Sequence, residues 1–137
     1  MTAEVFLDAN ILLYACSNAV RDADKSGRAR HLILSTPFAL SVQVLQEFIS
    51  NALRKKSLGI SEANIDATLE LASQVPVQPV TLELVLIAVS VRRRFQVSHW
   101  DAAIIAAARV LGCKTLYSED LNHGQDYDGV QVINPFL

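Results

Sequence analysis

Residues 5–12 read Val5-Phe6-Leu7-Asp8-Ala9-Asn10-Ile11-Leu12, and the fold follows from how this stretch is read. Val5, Phe6 and Leu7 form a short apolar run without polar alternation, the pattern of a strand buried on both faces, as in a parallel sheet. Asp8 ends the run at once. Asn10 is a good N-cap for a helix, which begins with Ile11, Leu12, Tyr14 and Ala15.

The same alternation continues outward from this start. A helix is predicted over Ala23 to Leu34, with Leu32 and Ile33 inward, and Pro37 ends it. Phe38 to Leu40 make a second strand, after which Ser41 caps a helix with Val44, Leu45, Phe48, Ile49 and Ala52 at helical spacing. Ser61 caps a helix with Ile65, Leu69 and Ala72 inward. Val77 to Val80 suit a short strand, and Thr81 caps an apolar helix that ends in Arg92, Arg93 and Arg94. Ser98 caps a helix from Trp100 to Leu111 that Gly112 closes. Thr115 to Tyr117 and Val130 to Ile133 are the last strands. Strands alternating with helices indicate an α/β domain with a mostly parallel sheet. In such sheets ligands bind beyond the carboxyl ends of the strands, where Asp8 and Asp120 fall.

The 137 residues fit a single domain over 1–137, and 51% hydrophobic content is enough for a sizeable core. A net charge of −2 counts slightly against a broad cationic nucleic-acid face. The cations do cluster, at Arg28 and Arg30, at Arg54, Lys55 and Lys56, and at Arg92, Arg93 and Arg94. Each run is explained singly as a solvated helix end. Cys16 and Cys113 are expected to be reduced thiols. Glu4 and Asp8 come too early for a signal peptide, and the apolar run from Leu82 to Val91 is too short to span a bilayer. A cytoplasmic protein without membrane attachment is the expectation.

Four acids carry the functional argument. Asp8 directly follows a buried strand, where an aspartate is costly to desolvate without a partner. Glu47 lies about 60° from Val44 around its helix, at the edge of the apolar stripe, where a solvated glutamate is equally expected. Asp101 fits a capping box with Ser98, a role that competes with catalysis for one carboxylate. Asp120 follows a strand end by three residues and is otherwise an ordinary loop acid, like Glu119. Carboxylates meeting at one rim repel, so at least one should have a raised pKa unless a cation lies among them. Oxygen-only ligands favour Mg²⁺ or Mn²⁺. His31, His99 and His123 are scattered, which disfavours zinc.

Four segments in order resemble the PIN-domain family, and within it the toxin ribonucleases of the VapC type. They are Val5 to Leu12, then Gln46-Glu47-Phe48, then His99-Trp100-Asp101-Ala102-Ala103-Ile104, then Leu116 to Leu121, and they extend along nearly the whole chain. The resemblance implies a doubly wound, mostly parallel sheet with helices on both faces. It implies an Mg²⁺- or Mn²⁺-dependent endoribonuclease leaving a 5′-phosphate and a 3′-hydroxyl. It also implies a homodimer and a cognate antitoxin partner. By this likeness Asp8, Glu47, Asp101 and Asp120 are the acidic, metal-holding cluster, and Asn10 and Ser118 are the small polar residues beside it. The position of Asn10 is often a threonine or serine in the family. Arg92, Arg93, Arg94, Arg54 and Lys55 are candidates for contacting RNA. Trp100 is expected to pack at its helix start, with base stacking as the alternative.

Other readings keep a strand-end aspartate. Phosphatases of the haloacid-dehalogenase type need a second aspartate two residues on, where this chain has Asn10. Receiver domains need paired early acids and a late lysine, whereas Lys114 precedes its strand. A binding module that has lost its chemistry and an RNA-processing nuclease outside any toxin system are the remaining alternatives.

Overall fold

The computed structural model describes residues 2–137. Its strands are β1 (Val5–Leu7), β2 (Phe38–Ser41), β3 (Val77–Gln78), β4 (Thr115–Tyr117) and β5 (Gln131–Ile133), in the order β3-β2-β1-β4-β5. All neighbouring strands are parallel, with Val5 opposite both Phe38 and Thr115. β1 is therefore the central strand. Successive residues of a strand face opposite sides of the sheet, and Phe6 and Leu7 are both fully buried, so both faces are covered.

The cover is six helices: α1 (Ala9–Cys16), α2 (Ala23–Ser35), α3 (Val42–Arg54), α4 (Glu62–Ala72), α5 (Leu82–Phe95) and α6 (His99–Val110). α1 packs on α2 and α3, and α5 packs on α6. α6 also touches β2 and β4, and so crosses β1 between them. This position explains its sequence. Every residue from Ala102 to Ala108 is buried, and five of the seven are alanines that allow close approach to the sheet.

Several boundaries differ from the sequence expectation. α1 starts at Ala9, and its N-cap is Asp8, not Asn10. β1 leads into α1 without a linker, so the residue at the strand end takes the extended cap conformation (φ −75°, ψ 163°). β3 stops at Gln78, ahead of Pro79 and the cap Thr81. On α4 Leu69 is 38% exposed, and Thr68 is buried in its place beside Cys16. Thr68 tolerates burial because its hydroxyl bonds back to the Asn64 carbonyl, 2.9 Å away. On α2 the inward residues are Ser26 and Ala29, with Leu32 and Ile33 only half-buried.

The sheet order reverses at β1. The chain proceeds outward through β2 and β3, then returns to the other side of β1 with β4 and β5. The loops leaving the carboxyl ends of β1 and β4 diverge there and open a crevice. Ile105 is fully buried on α6, so Ile105→Ala should lower stability by about 2–5 kcal/mol. Leu86→Ala, at a 62% exposed position on α5, should change it by less than about 0.5 kcal/mol. Urea unfolding of the two variants checks this packing directly.

Candidate functional site

Asp8 lies where β1, α1 and the loop after β4 meet. Its backbone N–H donates to the Tyr117 carbonyl (3.1 Å), which ties the end of β1 to the end of β4. One carboxylate oxygen accepts from the Ala9 N–H at 2.7 Å, and the other accepts from the Ser118 hydroxyl at 2.8 Å. Ser118 is fully buried, and its hydroxyl oxygen in turn accepts from the Asp120 N–H at 3.1 Å. One hydroxyl thus joins the two acids. Asn10, on the first turn of α1, donates from its side-chain amide to Asp120 at 3.1 Å. The Asn10 side-chain oxygen is buried and has no hydrogen-bond partner among the described residues.

The environment shifts the acids as their convergence requires. Burial pushes the Asp8 carboxyl up to about 6, against the lowering effect of its Ser118 and Ala9 bonds. The charges of Asp120 and Glu47 raise it further. Asp101 is also raised, first by burial and then by the charge of Asp120, while the Ser98 hydroxyl lowers it. Asp8 therefore senses the charges of Asp120 and Glu47, and Asp101 senses that of Asp120.

Glu47 is half-buried on α3, not solvated. Gln43, one turn earlier, donates to its carboxylate at 3.0 Å and to the Trp100 carbonyl at 3.1 Å, which links α3 to the start of α6. At α6 the Ser98 hydroxyl accepts from the Asp101 N–H (3.1 Å), but no return bond from the Asp101 carboxylate completes the box. The complete reciprocal box occurs at α4, between Ser61 and Asn64. The Asp101 carboxylate is thus not consumed by capping. Among the described residues no three His, Cys, Asp or Glu side chains converge closely enough to form a ready-made metal cluster. Asp8, Asp120, Glu47 and the orphaned Asn10 oxygen nevertheless line one cleft of about 300 Å³. Oxygen-only donors, mutual repulsion and an unsatisfied acceptor all fit a hard divalent cation.

Tyr14 and Glu119 also line the cleft, and with the neighbouring Lys25 they form a contact that the sequence reading assigned to no site. Glu119 accepts from the Tyr14 hydroxyl and the Lys25 ammonium, each at 2.6 Å, and Lys25 lies over the Tyr14 ring. This triad clamps the loop carrying Asp120 to α1 and α2. It raises the Lys25 ammonium, chiefly through the Glu119 bond, and burial raises the Tyr14 phenol. Tyr14 follows Asn10 by four residues and so shares its helix face, a signal present in the sequence. Nothing local marks Lys25 or Arg21. Arg21 and Lys55 also line the cleft.

The other candidate cations lie elsewhere. Arg54 donates to Asn51 at 2.5 Å and borders a second groove of about 750 Å³, together with Trp100, Val85 and Leu84. Trp100 is 64% exposed there rather than packed. Arg92, Arg93 and Arg94 form the last turn of α5, where Arg94 pairs with Asp128 at 2.9 Å.

The model of the PIN domain family matches residues 5–125. No curated protein matches the chain. Among solved structures, the VapC20 toxin of Mycobacterium tuberculosis, described as cleaving the sarcin–ricin loop, is 25% identical. That match has a TM-score of 0.67 and covers 85% of this chain and 89% of that one. A toxin–antitoxin complex from Klebsiella pneumoniae is 18% identical with a TM-score of 0.67, covering 96% and 97% of the two chains. DNA-bound VapBC from Salmonella typhimurium is 17% identical with a TM-score of 0.66, again covering 96% and 97%. These last two likenesses speak for the fold alone.

Asp8 makes stability depend on pH. Its folded pKa of about 6 lies above the ordinary 3.8, so folding favours the neutral carboxyl. That contribution is complete below about pH 4 and is lost as pH rises through 6. In EDTA, Asp8→Asn should therefore stabilise the protein at pH 8, by up to about 3 kcal/mol, with no gain near pH 4. Calorimetric melting of both proteins across this range checks it, and a gain independent of pH would refute the cause given.

Proposed function

This chain belongs to the PIN domain family, a family of nucleases, and from that premise we propose that it is an Mg²⁺- or Mn²⁺-dependent endoribonuclease, the toxin of a toxin–antitoxin pair. The observation that carries the reading is the chain of contacts Asp8–Ser118–Asp120–Asn10 at the crevice of the sheet. It leaves a buried acceptor unsatisfied beside carboxylates that repel. A cation answers both deficits.

In this reading Asp8 and Asp101 are the principal metal holders. Glu47 and Asp120 hold the ion directly or through water, and one of them orients the attacking water. The Ala9 N–H and the Ser118 hydroxyl fix the Asp8 carboxylate by its two oxygens, so its orientation is set before substrate arrives. Gln43 does the same for Glu47. When bound, the divalent ion supplies charge neutralisation at the phosphate and acidifies water. Hydrolysis would leave a 5′-phosphate and a 3′-hydroxyl. A cognate antitoxin is supported by the toxin–antitoxin complexes among the structural neighbours. A homodimer belongs to the same reading, and the exposed Leu82, Leu86 and Trp100 offer apolar surface for it. No helix among the described residues is long and apolar enough to cross a membrane, and a cytoplasmic site of action is part of the proposal.

A PIN-fold binding module without chemistry is the second reading, favoured by the lack of three converging acids. Manganese separates the two. For the nuclease, Mn²⁺ at about 100 times its Kd should stabilise the protein by about 2.7 kcal/mol, read as a rise in Tm. RNA cleavage should require the ion. Asp8→Asn and Asp101→Asn should each lose at least about 100-fold in cleavage rate. Variants that cleave as fast as the parent would overturn the assignment, and an unmoved Tm with no cleavage would favour the binding module. An RNA-processing role differs only in biology, and a small antitoxin frame beside the coding sequence decides between them.

A further inference from the structure

The cleft is charged unevenly. Its lining carries the acids Asp8, Glu47, Glu119 and Asp120, and also two cations, Arg21, with Asp22 next to it, and Lys55. Glu47, Asn51 and Lys55 follow one another at four-residue intervals along one side of α3, and all three line the cleft. Lys55 is therefore about 12 Å along the helix axis from Glu47. That separation is too long for a salt bridge to the acids.

These two cations are also held less firmly than the other cations near the site, Lys55 not at all and Arg21 only loosely. Lys25 is held by Glu119 at 2.6 Å, and Arg54 by Asn51 at 2.5 Å. The Lys55 side chain has no ion pair or hydrogen bond among the described residues. Arg21 has only a loose contact with Asp22 at 3.9 Å and one with the Ser57 hydroxyl at 3.4 Å. The Asp22 carboxylate itself accepts from Ser17 at 2.7 Å.

The wall bearing them is fixed, because two loops are stapled together. The Asn18 N–H donates to the Leu58 carbonyl at 2.7 Å, and its side-chain amide donates to the Gly59 carbonyl at 3.0 Å. Gly59 has φ +65°, and a side chain there would come within 3.3 Å of the Asn18 Cβ. The residue type at 59 thus permits the contact that brings the loop before α2 against the loop after α3. Arg21 reaches across this seam to Ser57. Lys55 thus stands unpaired on the wall it shares with Arg21, whose charge Asp22 meets only through that loose contact.

We infer that Arg21 and Lys55 form a phosphate-holding subsite that takes an RNA backbone phosphate away from the one being cleaved. The inference rests on the ribonuclease reading. Such a subsite is read by charge, without base identity. It also pulls the polyanion toward acids that would otherwise repel it.

The test is binding of a short fluorescent single-stranded RNA, measured by anisotropy in Mn²⁺ at several salt concentrations. An Asp101→Asn background keeps the RNA whole. Arg21→Gln and Lys55→Gln should each weaken binding several-fold and reduce the slope of log K against log salt by about 0.7. The double variant should lose about tenfold at moderate salt. Arg21→Lys and Lys55→Arg should keep the slope. Arg109→Gln, an exposed cation on α6 outside the cleft, should behave as the parent. With Asp101 intact, the Mn²⁺-induced rise in Tm should be the same in every charge variant as in the parent, because the charge substitutions leave the acids untouched. An unchanged slope in the double variant, with the parent binding RNA, overturns the subsite alone. A parent that binds no RNA overturns the ribonuclease reading and the subsite with it.

Discussion

A carboxylate with only 5% of its residue surface exposed, placed at the end of the central strand, is the constraint to which the rest of the site answers. Asp8 is held there by three demands at once. It ends β1, caps α1, and accepts from Ser118 on the far side of the strand-order reversal. Removing a carboxylate from water is costly without compensation, and the hydrogen bonds it receives from Ala9 and Ser118 compensate only in part, since its pKa stays near 6. Repulsion among the carboxylates is therefore left at the crevice, and the proposed divalent ion would relieve it.

The surrounding architecture reads as support for that arrangement. α6 crosses the sheet closely, which its alanine-rich run makes possible, and it carries Asp101 in its first turn. Gln43 ties Glu47 to the start of the same helix. The Tyr14–Lys25–Glu119 clamp anchors the loop whose next residue is Asp120. Asp8, Glu47 and Asp120 are thus each tied, directly or through one neighbour, to a different element. Precision comes from the joining of elements rather than from any one loop.

Much of this was legible in the sequence because secondary structure leaves local marks. The apolar runs gave the strands, and Ser41, Ser61, Thr81 and Ser98 marked helix starts that the fold uses. The four acids stood out by position, at strand ends and helix edges. Local marks also misled. Asn10 is a good cap by type, yet Asp8 caps α1, because it is the single residue between the end of β1 and the start of α1. The Ser98–Asp101 pair has the sequence of a reciprocal box, but only one of its two bonds forms. Trp100 looked like a packed helix start and is instead exposed beside a groove.

The sequence by itself determined the alternation of strands and helices, the parallel sheet, and the acids that a cation could gather. These depend on residue type and spacing over a few positions. Only the tertiary structure decided which acids raise the Asp8 carboxyl, that a single serine hydroxyl joins Asp8 to Asp120, and that Arg21 and Lys55 line one cleft with Asp8, Glu47 and Asp120. The pairs lie far apart in the chain, and the order β3-β2-β1-β4-β5 brings them together. Sheet order is settled by how whole elements pack, and no local pattern of residues encodes it.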